Sequence, residues 1–388
     1  MIIFIVVFAI ASFIIFYGMI GYPLTLVVLD KLLKPVPIRK DGTYEPTVTY
    51  MIVAHNEEKV IGYKLENALI LDYPTDKLDI LVTSDNSTDQ TNFIVENFIK
   101  KHPSRHIRLY VTKEHKGKTN AQNEAQKTVN SEILVMTDAN SLLEKNAIKE
   151  LVSSFSMKRI AYVCGKLIYR NGFPSLTSDS ESTYWNLDLK MRDIESRIYS
   201  ITAGNGAIYA CRNNLYVDFP AISCHDSAMP QYYIGMNMLS LFNPDAIAYE
   251  KSGEKDTDEF KRKVRMNRNL LHAWRLSLRF LNVFKYGWFT LFYFGHRTCR
   301  YFLWLAHLIA FVSTVAMAFY GCVCGIFLTI VQLFAIFIIV VHLYNPFEGK
   351  LLRMIGYYGM TITTQYVALW RSVNGLQRPT WEKAESTR

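Results

Sequence analysis

Hydrophobic positions along the chain fall into three patterns. Met1 to Leu29 is an apolar run without a single charged residue. About 20 such residues suffice to cross a bilayer, so residues 1–29 read as a transmembrane helix. The run lacks the basic start and the small-residue cleavage site of a signal peptide. A second uncharged run, Tyr301 to Phe347, is long enough for two spans, with Gly321 and Gly325 as turn positions between them. His307 and His342 inside it are expected to face neighbouring helices or headgroups. Residues 351–372 are apolar but interrupted by Arg353, glycines and Thr/Gln positions. They predict a third membrane or interfacial helix.

Between Val48 and Glu250 the pattern changes. Val48–Ala54, Ile80–Ser84, Leu109–Thr112 and Ile133–Thr137 read as strands. Glu57–Leu71, Thr88–Lys101 and Asn120–Val129 read as helices, with Ser87 or Thr88 as a cap. Such alternation predicts an α/β domain built on a parallel sheet with helices on both faces. Ligands of such sheets bind beyond the carboxyl ends of the strands.

Composition supports a part-membrane, part-soluble protein. Half of the 388 residues are hydrophobic and 20% are charged, which excludes a disordered chain. The six cysteines show no zinc-like spacing and read as reduced thiols. The net charge is +9. Asp30, Lys31, Lys34, Arg39 and Lys40 follow the first apolar run, and Arg371, Arg378, Lys383 and Arg388 follow the last. By the positive-inside rule both flanks are cytoplasmic, which favours the interfacial course for 351–372.

The strand ends carry the candidate chemistry. They read Ala54-His55-Asn56-Glu57-Glu58, Ser84-Asp85-Asn86-Ser87-Thr88-Asp89 and Thr137-Asp138-Ala139-Asn140. A lysine loop, His115-Lys116-Gly117-Lys118-Thr119-Asn120, lies between the third and fourth strands. Three acidic ends and a glycine-flanked lysine suit a nucleotide, a divalent metal and a diphosphate. No G-x-G-x-x-G or Walker lysine motif is present, so a dinucleotide enzyme and a P-loop ATPase lack support.

At these residues the chain resembles a membrane-anchored family-2 glycosyltransferase of the GT-A fold, of the bacterial exopolysaccharide or surface-glycan type. Ala54, Asn56 and Glu57 resemble the first nucleotide-binding strand end, and Asp85-x-Ser87-x-Asp89 the D-x-S-x-D signature. Gly117-Lys118-Thr119-Asn120-Ala121-Gln122-Asn123 resembles the G-K-x-x-A-x-N loop, and Asp138-Ala139-Asn140 stands at the D-x-D position. The resemblance implies that Ala54, Asn56, Glu57, Asp85, Lys118 and Asp138 bind the nucleotide-sugar, with Asp85 on the uracil or ribose. It implies Mg²⁺ or Mn²⁺ on Asp138 and Asn140. Gly204, Asn205 and Gly206 resemble the acceptor loop, although a plain turn fits them as well. Asp226 falls on the catalytic-base position. His225 replaces an acidic residue there, and its role stays open.

The excess charge lies mainly in one stretch. Phe260 to Arg300 holds ten Lys and Arg residues and no Asp or Glu. Arg268, Arg275 and Arg279 fall near one helical face and Leu271, Trp274, Leu278 and Leu281 largely on the other. That pattern predicts a helix on an anionic membrane surface, not nucleic-acid binding. Polymerising relatives carry Q-x-x-R-W here. This chain keeps Arg265, with Arg262 for the Gln and Met266 for the Trp, so single-sugar transfer is favoured. Arg262 and Arg265 are expected on the diphosphate.

The expected organisation is a transmembrane helix (1–29), a cytoplasmic glycosyltransferase domain (40–259), a basic interfacial region (260–300), two transmembrane helices (301–347), a further helix (351–372) and a cytoplasmic tail (373–388). The implied function is inverting, metal-dependent transfer from a UDP-sugar to a lipid-linked or membrane-proximal acceptor in surface polysaccharide synthesis at the inner membrane. A processive synthase and a non-catalytic membrane subunit are the alternatives.

Overall fold

The computed structural model describes residues 1–35, 40–169, 176–251, 256–344 and 350–380. The chain divides into a helical unit (Met1–Leu32, Leu176–Tyr184, Lys255–Gln377) and an α/β unit (Leu33–Ser175, Trp185–Glu254, Arg378–Arg388). The tail from Arg378 thus groups with the α/β unit rather than standing apart.

The α/β unit holds one sheet of eight strands. They are β1 (Val48–Ala54), β2 (Leu78–Ser84), β3 (Ile107–Val111), β4 (Ile133–Asp138), β5 (Leu142–Leu143), β6 (Ile160–Tyr169), β7 (Ile208–Arg212) and β8 (Leu239–Glu250). Their order across the sheet is β3-β2-β1-β4-β7-β6-β8-β5. The first four are parallel, as the alternation predicts. The whole sheet is mixed, because β7 runs antiparallel to both β4 and β6, and β5 antiparallel to β8. A wholly parallel sheet is therefore corrected at β7 and β5 alone, since β6 and β8 run parallel to each other.

Every residue of β1 is buried, since helices cover both faces of its part of the sheet. Register then places the chemistry. Ala54 of β1 sits opposite Ser84 of β2, and Val53 opposite Asp138 of β4. The polar ends of these strands are therefore level, beside the reversal of strand order between β1 and β4.

Helix starts differ from the sequence reading. The first begins at Ile61 because Glu57–Val60 forms a turn, with the Val60 N–H on the Glu57 carbonyl (3.0 Å). The second begins at Thr91, whose N–H donates to Asp89 Oδ1 (3.0 Å), so Asp89 closes that start in place of Ser87 or Thr88. The third spans Lys118–Gln126.

In the helical unit, Ile2–Leu33 and Val323–His342 are long and apolar enough to cross a membrane. A third span results if Trp288–Tyr301 and Leu303–Phe319, bent by 63°, count as one. Only 11% and 6% of the first two apolar windows are buried, which leaves broad apolar surfaces on both helices and suggests membrane association. Gly321 makes the expected turn at φ +74°, whereas Gly325 lies inside the Val323–Tyr344 helix against Met317. Lys350–Val373 is one helix but is not among those apolar enough to cross. In the Leu270–Arg279 helix, Leu270, Ala273 and Ser277 face inward, while Leu271, Trp274 and Leu278 are exposed. Arg268 departs from the expected basic face, because it is buried.

Lys64 is fully buried beneath the end of β4, donating to Thr137 Oγ1 (2.9 Å) and to the Ser141 carbonyl. Burial pulls its pKa down to about 7. The unfolded chain then binds more protons than the folded one from about pH 7 up to the ordinary lysine range near 10.4. Stability contributed by this site therefore rises with pH through that window. Denaturant unfolding at pH 7 and 9.5 is expected to show the rise, on the order of 2 kcal/mol, and Lys64→Met is expected to flatten it.

Candidate active site

Asp85, just past β2, is fully buried. Its Oδ2 accepts the Gly117 N–H (2.8 Å) and its Oδ1 the Lys116 N–H (3.2 Å). His115 Nδ1 lies 2.8 Å from Oδ2, and His55 Nδ1 lies 2.8 Å from the Asp85 carbonyl. Both partners are acceptors, so both imidazoles carry their protons on Nδ1. The two rings stack at 3.7 Å. The ligating atoms of His55, Asp85 and His115 lie within 4.8 Å of one another. Asp85 thus ties the end of β2 to the lysine loop and orients a stacked imidazole pair.

Asn56 performs a similar task at the end of β1. Its left-handed backbone (φ +54°) turns Oδ1 onto the Thr88 N–H (2.7 Å). Glu57 is buried, and its N–H donates to Thr91 Oγ1 (2.7 Å). Ala54 accepts the Asp85 N–H at 2.8 Å. These three residues join the ends of β1 and β2.

Lys118 opens its helix beside Gly117 and forms an ion pair with Asp138 at the end of β4. Asp226 stands in the first turn of the His225–Gly235 helix. Gly206 brings the three together. A Cβ there would lie 3.1 Å from Lys118 Nζ, 3.3 Å from Asp138 Oδ2 and 3.9 Å from Asp226 Oδ2. Burial pushes the Asp226 carboxyl above its ordinary pKa, with Lys118 opposing and Asp138 adding to the rise. A carboxylate held that way is a better base near neutral pH than a solvated one. Asn140 is half-buried two residues beyond Asp138. Their carboxylate and amide oxygens are the hard donors that Mg²⁺ or Mn²⁺ takes, so this donor set fits such an ion.

The acceptor-loop candidates separate. Gly204 packs against Tyr162, and its N–H donates to the Asp226 carbonyl (2.8 Å). Asn205 is buried, with Nδ2 on the Gly165 carbonyl (2.7 Å) and Oδ1 accepting the Ala207 N–H (3.2 Å). Gly206 alone of the three borders the charged groups. Arg262 and Arg265 lie on the Asp256–Met266 helix of the helical unit. Arg262 is bidentate on Glu259 (2.6 and 2.9 Å), and Arg265 is exposed.

His225, whose role the sequence left open, is buried between Gln122 Oε1 (3.0 Å) and the Tyr216 hydroxyl (2.8 Å). Burial pushes its pKa down to about 3, so it is a neutral brace between the Lys118 and Asp226 helices.

Residues 49–216 match the family model described as Glycosyl transferase family 2. This matched stretch reads as family-2 glycosyltransferase sequence. The "Probable glycosyltransferase YdaM" of Bacillus subtilis is 39% identical over 110 residues, 28% of this chain and 26% of that protein. A "Beta-monoglucosyldiacylglycerol synthase" of Synechocystis is 31% identical over 111 residues, 29% of this chain and 23% of that protein. The matched part of this chain covers about a quarter of the length of these relatives. The "Mannosyltransferase PcManGT from Pyrobaculum calidifontis in complex with GDP-Man and Mn2+" is 22% identical at TM-score 0.70, covering 96% of this chain and 100% of that one. That likeness establishes the GT-A fold.

Sequence reasoning missed the imidazole stack and the buried Arg192. Arg192 pairs with Asp188 (2.7 Å) and lies over the Trp185 ring near Tyr162 and Cys164, behind the Asp226 carbonyl that Tyr162 bonds (3.2 Å). His55 and His115 were legible only as histidines flanking two motifs. Arg192 carried a weak signal, an Asp and an Arg four residues apart on a helix.

Gly206 gives a direct test of the convergence. The atoms that crowd its missing Cβ are flexible side-chain ends, so Gly206→Ala is expected to move the melting temperature by no more than about 2 °C. Displaced charged groups are expected to lower sugar transfer about tenfold or more in a donor-turnover assay.

Proposed function

We propose that this chain transfers one sugar from a nucleotide-diphospho-sugar, with UDP the expected nucleotide, to a hydroxyl of a lipid-linked or membrane-proximal glycan acceptor. The meeting of Lys118, Asp138 and Asp226 around Gly206 carries this reading. The acceptor hydroxyl attacks the anomeric carbon while Asp226 takes its proton and the nucleotide diphosphate departs with the bonding electrons, inverting the centre. Lys118 lies beside the departing phosphates. Asp138 and Asn140 are the residues that would hold Mg²⁺ or Mn²⁺, and a bound ion supplies charge neutralisation for the diphosphate. Asp85, Asn56 and Glu57 set the donor pocket by fixing the loops that line it.

A membrane-borne acceptor is supported by the helices apolar enough to cross a bilayer and by a lipid-glycosylating relative. The exposed face of Leu271, Trp274 and Leu278, beside exposed Arg275 and Arg279, suits a helix lying on an anionic leaflet. The positive-inside flanks support a cytoplasmic domain at a bacterial inner membrane and a surface-glycan product. Met266 in the place of a stacking tryptophan favours transfer of one sugar over polymerisation.

Two variants test the roles. Asp226→Asn is nearly isosteric and is expected to lower transfer by about 10²–10⁴-fold with near-normal UDP affinity. In the wild type, activity is expected to fall on acidification with an apparent pKa above the ordinary carboxylate range, since protonated Asp226 cannot accept a proton. Normal turnover with a depressed melting point would make Asp226 a structural residue. For Asp138→Ala, calorimetric titration of UDP is expected to lose its dependence on Mn²⁺. Undiminished Mn²⁺-dependent binding would remove Asp138 from the metal site.

A further inference from the structure

Gly117 is held in a conformation that other residues rarely adopt, with φ at +96°. Its N–H is fixed on Asp85 (2.8 Å), and its carbonyl accepts the Ala121 N–H (3.1 Å). The side where a Cβ would stand is filled by the chain's own C-terminal segment. A Cβ on Gly117 would lie 2.7 Å from the Pro379 carbonyl oxygen, 3.0 Å from the Pro379 carbonyl carbon and 3.5 Å from the Thr380 nitrogen. Pro379 and Thr380 are half-buried, and both group with the α/β unit. The loop beneath them is the one that delivers Lys118 to Asp138.

We propose that Arg378–Thr380 is a positioning strap that seats on Gly117 and holds the Gly117–Lys118 loop in its donor-binding conformation. This inference rests on the donor-site reading above. The physical reason is preorganisation. A glycine at positive φ is the loosest point of the loop, and it has no side chain to pack it in place. Backbone laid against its Cα supplies the missing packing. The proline helps because its fixed φ limits the strap's alternative conformations. A loop already ordered before the donor arrives loses less entropy when the phosphates bind. The strap touches no reacting atom. It acts through Lys118, so its removal should appear in donor affinity rather than in turnover at saturation.

The full-length protein in detergent or nanodiscs tests this. One variant replaces the strap at constant length (Arg378→Gly, Pro379→Gly and Thr380→Gly together). A second ends the chain after Gln377, keeping the Gln377 Nε2 bond to the Ala368 carbonyl (2.9 Å) that closes the preceding helix. Affinity is measured by titrating UDP and, separately, GDP with Mn²⁺. Exchange of the Lys118 and Thr119 amides is followed without nucleotide. In both variants amide exchange is expected to speed up and nucleotide affinity to fall about fivefold or more. Turnover at saturating donor and the melting temperature are expected to stay near wild type. Wild-type affinity in both variants overturns the strap. A melting temperature lowered in step with affinity also overturns it, since that is a general packing role. If the wild type binds neither nucleotide, the donor-site reading fails. The strap is then judged by amide exchange alone, and unchanged exchange overturns it.

Discussion

A buried carboxylate tolerates no unpaired state, and Asp85 organises the catalytic unit through that constraint. Leaving such a group without partners costs several kcal/mol, so the chain must bring donors to it. Those donors are the backbone N–H groups of Lys116 and Gly117, one helix and one strand further along the chain. Meeting the demand draws the lysine loop over the end of β2. It fixes where the following helix starts, and Lys118 at that start reaches Asp138 across the end of β4. The Asp85 N–H on the Ala54 carbonyl adds the end of β1 to the same knot. One residue thereby sets the mutual positions of several loops that share little sequence continuity.

Electrostatics completes the arrangement. Asp138 and Asp226 approach the same point, and two carboxylates sharing one region repel each other. Lys118 sits with both, paired to one and opposing the pKa rise of the other. The balance is delicate because a diphosphate donor adds further negative charge. A single lysine cannot offset two carboxylates and a diphosphate, which is why hard oxygen ligands at Asp138 and Asn140 make chemical sense there.

The parts of the fold visible in sequence were those with strong periodicity. β1, β2 and β4 announced themselves as apolar runs, because strands covered on both faces carry little alternation to obscure them, whereas the half-buried edge strand β3 was legible only in part. The reversal of β7 between the parallel strands β4 and β6 was less legible, since sheet direction leaves no mark on a single strand's residue pattern. Helix starts shifted for a related reason. Asn56 and Asp89 take backbone N–H groups that a periodic reading assigns to the helix; the Asn56 capture depends on a partner from another strand end, and the Asp89 bond closes a local turn. Within the site, motif residues were readable as residue types but not as roles. Asn205 and Asp85 carry polar atoms that suggest ligands, yet their atoms are engaged by the protein's own backbone. His225 looked like a replaced acid and is a buried neutral brace.

The contrast between Asp85 and Asp226 explains why one carboxylate suits structure and the other chemistry. Asp85 is surrounded by N–H donors that occupy its carboxylate oxygens. Nothing is left with which to take a proton from a substrate. Asp226 is half-buried beside a glycine that leaves space next to its carboxylate, and burial raises its affinity for a proton. The protein grips its backbone through Gly204 and Tyr162 on its carbonyl, and its carboxylate takes the Ser227 N–H. In the proposed reaction that main-chain grip would fix the base in place, with Oδ2 toward the Gly206 gap. A general base needs that separation between the atoms that anchor it and the atoms that react.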